Sequence, residues 1–221
     1  DVKTRQAISY AMNRQQIVDN LLKGAGEVTD GFFTSMSPYL DKTIKPVAYD
    51  AAKAQALVDD SKWDKSKKLK LAVLSGDATL EKAANIIAEN LRAAGIETQI
   101  QMTDLSTLLD DIVKKDYDLA VLTVSITPVN PLPDIAYFIG EGNPNGYNNK
   151  RVNEILAALS TEVDEAKIEK LYSELQQITQ QEVPMPSIYA TKALGAVNKR
   201  VQRATPSDFG MFINVNEWTV K

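Results

Sequence analysis

The chain has 221 residues, 44% hydrophobic and 24% charged, a globular balance that allows a full core in one large domain or two small ones. Its 25 basic and 29 acidic residues leave a net charge of −4, and no Lys/Arg stripe interleaves with aromatics, which argues against a nucleic-acid partner. Cysteine and histidine are both absent, so thiolate nucleophiles, disulfides, Cys/His zinc sites and histidine acid/base chemistry are excluded together. No apolar run approaches the roughly 20 residues of a membrane span. The chain opens on Asp1-Val2-Lys3-Thr4-Arg5, within a helical pattern and without a basic-apolar signal segment. It is therefore expected to be a fragment or mature piece of something longer.

Taken in chain order, Ala7/Ile8, Ala11, Ile17/Val18 and Leu21/Leu22 fall at helical spacing, with Asn13 capping a second helix from Arg14 and Gly24 and Gly26 stopping it. Residues 27–47 show no clear period. Their aromatics, Phe32, Phe33 and Tyr39, are expected to pack on the core. Asp50 caps a helix that aligns Ala51, Ala54, Leu57 and Val58, and Trp63 closes that unit. The charge run 65–70 reads as a solvated connection. The period then changes: strand Leu69–Leu74, helix Leu80–Ala94 ended by Gly95, strand Ile96–Met102, helix Ser106–Lys115 and strand Tyr117–Val124. These form a βαβαβ unit, and the right-handed crossover rule makes its sheet largely parallel. Asp134 is expected to cap a short helix, Ile135–Ile139. A turn-rich cluster, 140–149, precedes helices Arg151–Ser160 and Asp164–Gln181, and Val183-Pro184-Met185-Pro186 breaks the second. Residues 187–190 and 194–197 read as short strands, and the tail 209–218 alternates enough to pair with a neighbour.

The stretch 116–133 carries the candidate site. Tyr117–Val124 is apolar and bounded by polar turn residues, which reads as a strand buried on both faces. It empties into Ser125-Ile126-Thr127-Pro128-Val129-Asn130-Pro131-Leu132-Pro133, where prolines remove backbone donors and fix φ. Ligands of open α/β sheets sit at such strand ends. Backbone groups with Ser125, Ile126, Thr127 and Asn130 are therefore candidate ligand contacts. Ser75, at another strand end, joins them, although Asp77 is expected to cap the next helix itself. Tyr147, the aromatic among asparagines, is a candidate for stacking on a ligand or for covering the edge of the fold. Asp110/Asp111 with Lys114/Lys115 read as a solvated helix face. Asp59/Asp60 have no second ligand cluster beside them, so no metal and no cofactor is expected.

Several ordered patterns resemble one family. Val2, Arg5-Gln6-Ala7, Tyr10-Ala11, Asn13-Arg14 and Ile17 with Gly24-Ala25-Gly26 are similar to the opening of the second lobe in extracellular solute-binding proteins of the peptide and nickel ABC importers. Tyr49-Asp50 with Ala54, Leu57 and Trp63, the Leu91/Gly95/Ile96 junction, Tyr117-Asp118, Asn130-Pro131, Gly146-Tyr147-Asn148-Asn149, Tyr172 with Leu175-Gln176, and Pro184 with Tyr189 follow in order. The resemblance implies a type II periplasmic-binding-protein lobe of α/β class, a βαβαβ mixed sheet flanked by helices, with residues 1–221 forming the second lobe and the first absent. It also implies an oligopeptide or peptide-like solute held between lobes, ABC permease subunits as partners, and no enzymatic step. The implied location is extracytoplasmic, either periplasmic or lipoprotein-anchored. A ligand-sensing lobe of a regulatory protein is the alternative role for the same fold.

Departures from the family carry information. Peptide-binding relatives follow this strand with a Trp, an Asp that pairs with the peptide ammonium, and a second Asp; these positions read Val124, Thr127 and Asn130 here. Dipeptide-binding relatives carry an Arg after the first strand, where this chain has Leu74-Ser75-Gly76. A dipeptide, or a short peptide held at that position by its amino end, is therefore not the expected ligand.

Overall fold

The computed structural model describes residues 1–192, 194–205 and 212–221. Helices α1 (Val2–Ala11) and α2 (Arg14–Asn20) open the chain, with Asn13 accepting the Gln16 N–H as the α2 cap. Strand β1 (Gly26–Val28) follows, then a long loop, then α3 (Ala51–Asp59), capped by Asp50 through the Lys53 N–H. Next come β2 (Leu69–Leu74), α4 (Ala78–Ala93), β3 (Thr98–Thr103), α5 (Leu105–Lys114) and β4 (Leu119–Val121). The βαβαβ expectation holds: β2 pairs in parallel with β3 and with β4, in the order β3-β2-β4. Gly95 adopts φ +79° after α4, the left-handed turn that lets Ile96 fold back into the core.

β4 differs from expectation. It spans three residues rather than the whole of 117–124 and lies at a sheet edge; Val121 is buried, whereas Leu122 is 36% exposed. An apolar run does not reveal how many neighbours a strand has. The strand sandwiched on both sides is β2, whose Leu71, Ala72 and Val73 are all buried.

Helices α6 (Leu132–Ile139), α7 (Lys150–Leu159) and α8 (Glu165–Glu182) follow. β5 (Tyr189–Thr191) pairs antiparallel with β1, and β6 (Val201–Gln202) with β7 (Thr219–Val220). The expected strand at 194–197 is not formed. Within the tail, 215–217 is a single 3-10 turn, while 209–211 lie outside the described residues.

Two apolar cores result. One joins α1, α2, α3 and α4 to the sheet through Ile17, Val58, Leu71, Val73, Leu91 and Ile96. The other joins Phe32 and Phe33 to α6, α7 and α8 through Ile135, Ile139, Ile155 and Leu175, so these two loop aromatics do pack inward. Polar side chains tie helix ends together between them. Arg14, 2% exposed, donates to Ser9 O and Ser187 O, while Arg5 and Gln6 donate to Glu182 O and Gln181 O at the end of α8.

Candidate functional site

The segment after β4 crosses from one core to the other. Val121 belongs to the sheet core, whereas Ile126 and Leu132 pack against the helical core. Between them, Thr127-Pro128-Val129-Asn130 closes a turn: the Asn130 N–H donates to Thr127 O at 3.2 Å, with proline at the second position, where its fixed φ fits. Two distant side chains pin this turn. Ser37 Oγ donates to Pro128 O at 3.1 Å, and Asp134 Oδ2 accepts the Thr127 N–H at 2.8 Å.

Asp134 is therefore not the cap of α6, as its place before Ile135 suggested. Pro131 stands at the cap, Leu132 and Pro133 fill the first positions, and Asp134 reaches back from the first turn to the loop. A proline there fits a helix start because its missing N–H is one that the first turn leaves unpaired anyway.

The structure places Ser125, Thr127 and Asn130 at the exposed surface of this turn, while Ile126 is half-buried against the second core. Ser75 is exposed at the end of β2, its N–H donating to Thr103 O at 2.8 Å. β2 and β4 run parallel, with Val73 opposite Val121, so Ser75 and the loop both leave the sheet at the carboxyl ends of their strands. The helix start beside it is already satisfied. Asp77 accepts the Thr79 and Leu80 N–H groups, and Glu81 accepts the Gly76 N–H.

Tyr147 stands apart from this group. Its turn lies beside Lys115, which precedes β4, and its hydroxyl donates to Glu182 at 2.6 Å. Asn149 donates to the same carboxylate at 2.8 Å. Burial, then the Glu182 carboxylate, hold the Tyr147 hydroxyl above the ordinary tyrosine range.

The remaining candidates are ion pairs at the surface. Asp59 pairs with Lys65, Asp60 with Lys3, and Asp110 with Lys114 one helical turn on. No cluster of three acidic side chains with metal-holding geometry occurs among the described residues. Two clefts lie away from the strand-end loop. One, of about 340 Å³, is bounded by the 27–46 loop and α8; the other, of about 430 Å³, lies near Leu69 and Leu119, where β2 and β4 begin. Ser37, Asp134 and Glu182 were not visible as site-supporting residues in sequence. Ser37 lies 91 positions from its partner and Glu182 lies 35 from its own, and no local pattern links residues so far apart.

An ABC transporter substrate-binding protein, CtaP from Listeria monocytogenes, superposes with a TM-score of 0.88 at 22% identity, covering 100% of this chain and 47% of that one. That likeness shows the fold, a type II periplasmic-binding-protein lobe. Among curated proteins, nickel-binding protein NikA of Staphylococcus aureus is 22% identical over 219 residues, covering 95% of this chain and 43% of NikA. Di/tripeptide-binding protein 3 of Pseudomonas aeruginosa is 24% identical over 217 residues, 94% of this chain and 41% of that protein. The chain thus spans less than half the length of the relatives it matches. Residues 1–146 match the family described as "Bacterial extracellular solute-binding proteins, family 5 Middle", and on that match the chain belongs to the family 5 extracellular solute-binding proteins.

Proposed function

We propose that this chain is one lobe of a two-lobed solute receptor, which captures an oligopeptide or peptide-like solute in an interlobe cleft and hands it to an ABC importer permease without chemical change. The observation that carries the reading is the pinned loop after β4. Both of its ties, Ser37–Pro128 and Thr127–Asp134, fix the backbone while leaving Ser125, Thr127 and Asn130 exposed at the end of the sheet where Ser75 also lies. A preformed polar surface open on one side suits closure by a second surface, as in hinge-closing receptors. Ile126 would contribute through its backbone, whereas Tyr147, set apart from this face and bonded to Glu182, covers the edge of the helical core.

A second observation supports a further body. Residues 194–205 and 212–221 join neither core, and Leu194 is 80% exposed, Phe212 65% and Ile213 56%. Apolar side chains at that exposure are accounted for if another lobe covers them. Extracytoplasmic placement, periplasmic or lipid-anchored, follows from the family in this reading. Relatives are named for di/tripeptides and for nickel, so a chelated metal is the other solute class to be screened.

The test is small-angle scattering on the complete protein, with and without a pooled peptide library. A smaller radius of gyration with peptide supports the reading; binding without any change of shape contradicts it.

A further inference from the structure

β3 forms one side edge of the sheet, and among the described residues no strand pairs with its outer side. The Leu69 N–H donates to Glu97 O and the Ser75 N–H to Thr103 O, and the register runs unbroken from Leu69–Thr98 to Leu74–Thr103. Odd-numbered residues of β3 therefore turn their backbone groups to β2, while Thr98, Ile100 and Met102 turn theirs outward. The strand Thr98-Gln99-Ile100-Gln101-Met102-Thr103 carries none of the devices that ordinarily blunt an edge: no Pro, no bulge and no charged side chain. Met102 stands 45% exposed on it.

We propose that this edge is the pairing surface for a second copy of the chain, β3 against β3, antiparallel, about a twofold axis at Ile100. In that register Ile100 bonds to Ile100 and Thr98 to Met102, so every outward N–H and C=O of the strand is satisfied. Ile100 packs on Ile100 and Met102 on Thr98 along the face that carries α4. Gln99 lies opposite Gln101 on the other face, where their amides exchange hydrogen bonds. No charge stands directly opposite a like charge, since Glu97 meets Thr103 and Asp104 meets Ile96. Arg92 is exposed, lines a cleft with Glu97 and Thr98 at the amino end of β3, and has no ion pair among the described residues. Antiparallel pairing brings Asp104 of the second copy to that end, so the free cation of each copy meets an acid of the other. α4 lies over both β2 and β3, which sets the two α4 helices side by side about 10 Å apart, an ordinary helix packing distance.

The edge runs along the side of the sheet, whereas the loops of the ligand face leave it at the carboxyl ends of the strands. A second lobe closing over those loops leaves the edge free. Because the pairing is antiparallel, the two ligand faces point to opposite ends of the joined sheet, and neither blocks the other.

The test is sedimentation equilibrium on the complete protein. A strand edge with one helix flank reaches only the lower end of specific interfaces, about 1,200 Å² in total, so the parent dimer is expected to dissociate in the range of about 1–100 μM. Gln99→Lys with Gln101→Lys, both at exposed positions, sets lysines directly opposite each other and should weaken the dimer at least about tenfold. Gln99→Lys with Gln101→Glu sets each lysine opposite a glutamate and should keep the dimer. A parent that stays monomeric at about 200 μM overturns the proposal, as does a dimer that survives the two lysines or one that fails with the lysine–glutamate pair. Should a variant fail to fold, hydrogen exchange on the parent still decides. The Ile100 and Met102 amides must slow as concentration rises, and exchange independent of concentration overturns the proposal. The receptor reading stands in every case, because pairing leaves the ligand faces free.

Discussion

Replacing Arg14 with methionine isolates the polar contribution of a buried side chain. Arg14 is 2% exposed; its Nε lies 2.8 Å from Ser187 O, Nη1 2.9 Å from Ser9 O and Nη2 2.9 Å from Ser9 Oγ. Among the described residues no acid pairs with it directly. Burial lowers its pKa, and the more distant Asp30 charge opposes that shift. Methionine keeps an unbranched apolar stem of similar reach, so packing is largely conserved and two polar effects compete. Loss of the guanidinium relieves its desolvation, but it strips donors from carbonyls at the end of α1 and before β5, each worth roughly 1–3 kcal/mol when left unpaired in a dry site. With three carbonyls, the third being Val47 O at 3.4 Å, and one hydroxyl affected, the second effect wins, and Arg14→Met is expected to destabilise the chain by about 3 kcal/mol. For a chain of this size that lowers Tm by roughly 6–12 °C. Arg14→Lys, which keeps the charge and one bond, should fall between the two. Urea unfolding followed by tryptophan fluorescence measures both. A methionine variant within about 1 kcal/mol of the parent would refute the reasoning, because it would mean that desolvation relief matches the lost bonds.

Three further outcomes follow from the same contacts. Asp77→Ala removes the acceptor of two N–H groups at the start of α4 and should cost about 1 kcal/mol in the same unfolding assay; no loss would mean that Glu81 alone suffices. Tyr147→Phe gives up the bond to Glu182 and should lower stability by about 1 kcal/mol while leaving solute affinity unchanged. A fall in affinity without one in stability would instead put that hydroxyl on the ligand face. Burial, with Tyr39 second, pushes the Tyr172 hydroxyl up to about 12, above its unfolded value of 10.0. Its contribution to stability is complete below pH 10 and is lost as pH rises towards 12, so Tyr172→Phe should move alkaline unfolding to higher pH. An unmoved midpoint would contradict that assignment.

The parts of the fold legible in sequence are those with a local signal. The change of period at Leu69, the caps at Asn13, Asp50 and Asp77, and Gly95 after α4 mark the βαβαβ unit and its neighbours. What sequence concealed is long-range. β1 and β5 are three-residue strands that find each other across some 160 positions, too short for any period to show. The apolar run at 117–124 gave no sign that β4 is an edge, because edge and centre differ in neighbours rather than in composition. At the candidate site the loop was readable from its prolines, but its two ties were not. Ser37 is an ordinary loop serine, and Asp134 has the spacing of a cap although prolines already occupy the start of α6.

The central claim is that solute is held between this lobe and a second one, so that neither surface suffices alone. It is tested most directly by titrating one peptide ligand into the complete protein and into residues 1–221 alone. The account predicts that the lone lobe binds at least about 100-fold more weakly, because half of the burying surface is missing. Equal affinity for the two would contradict it.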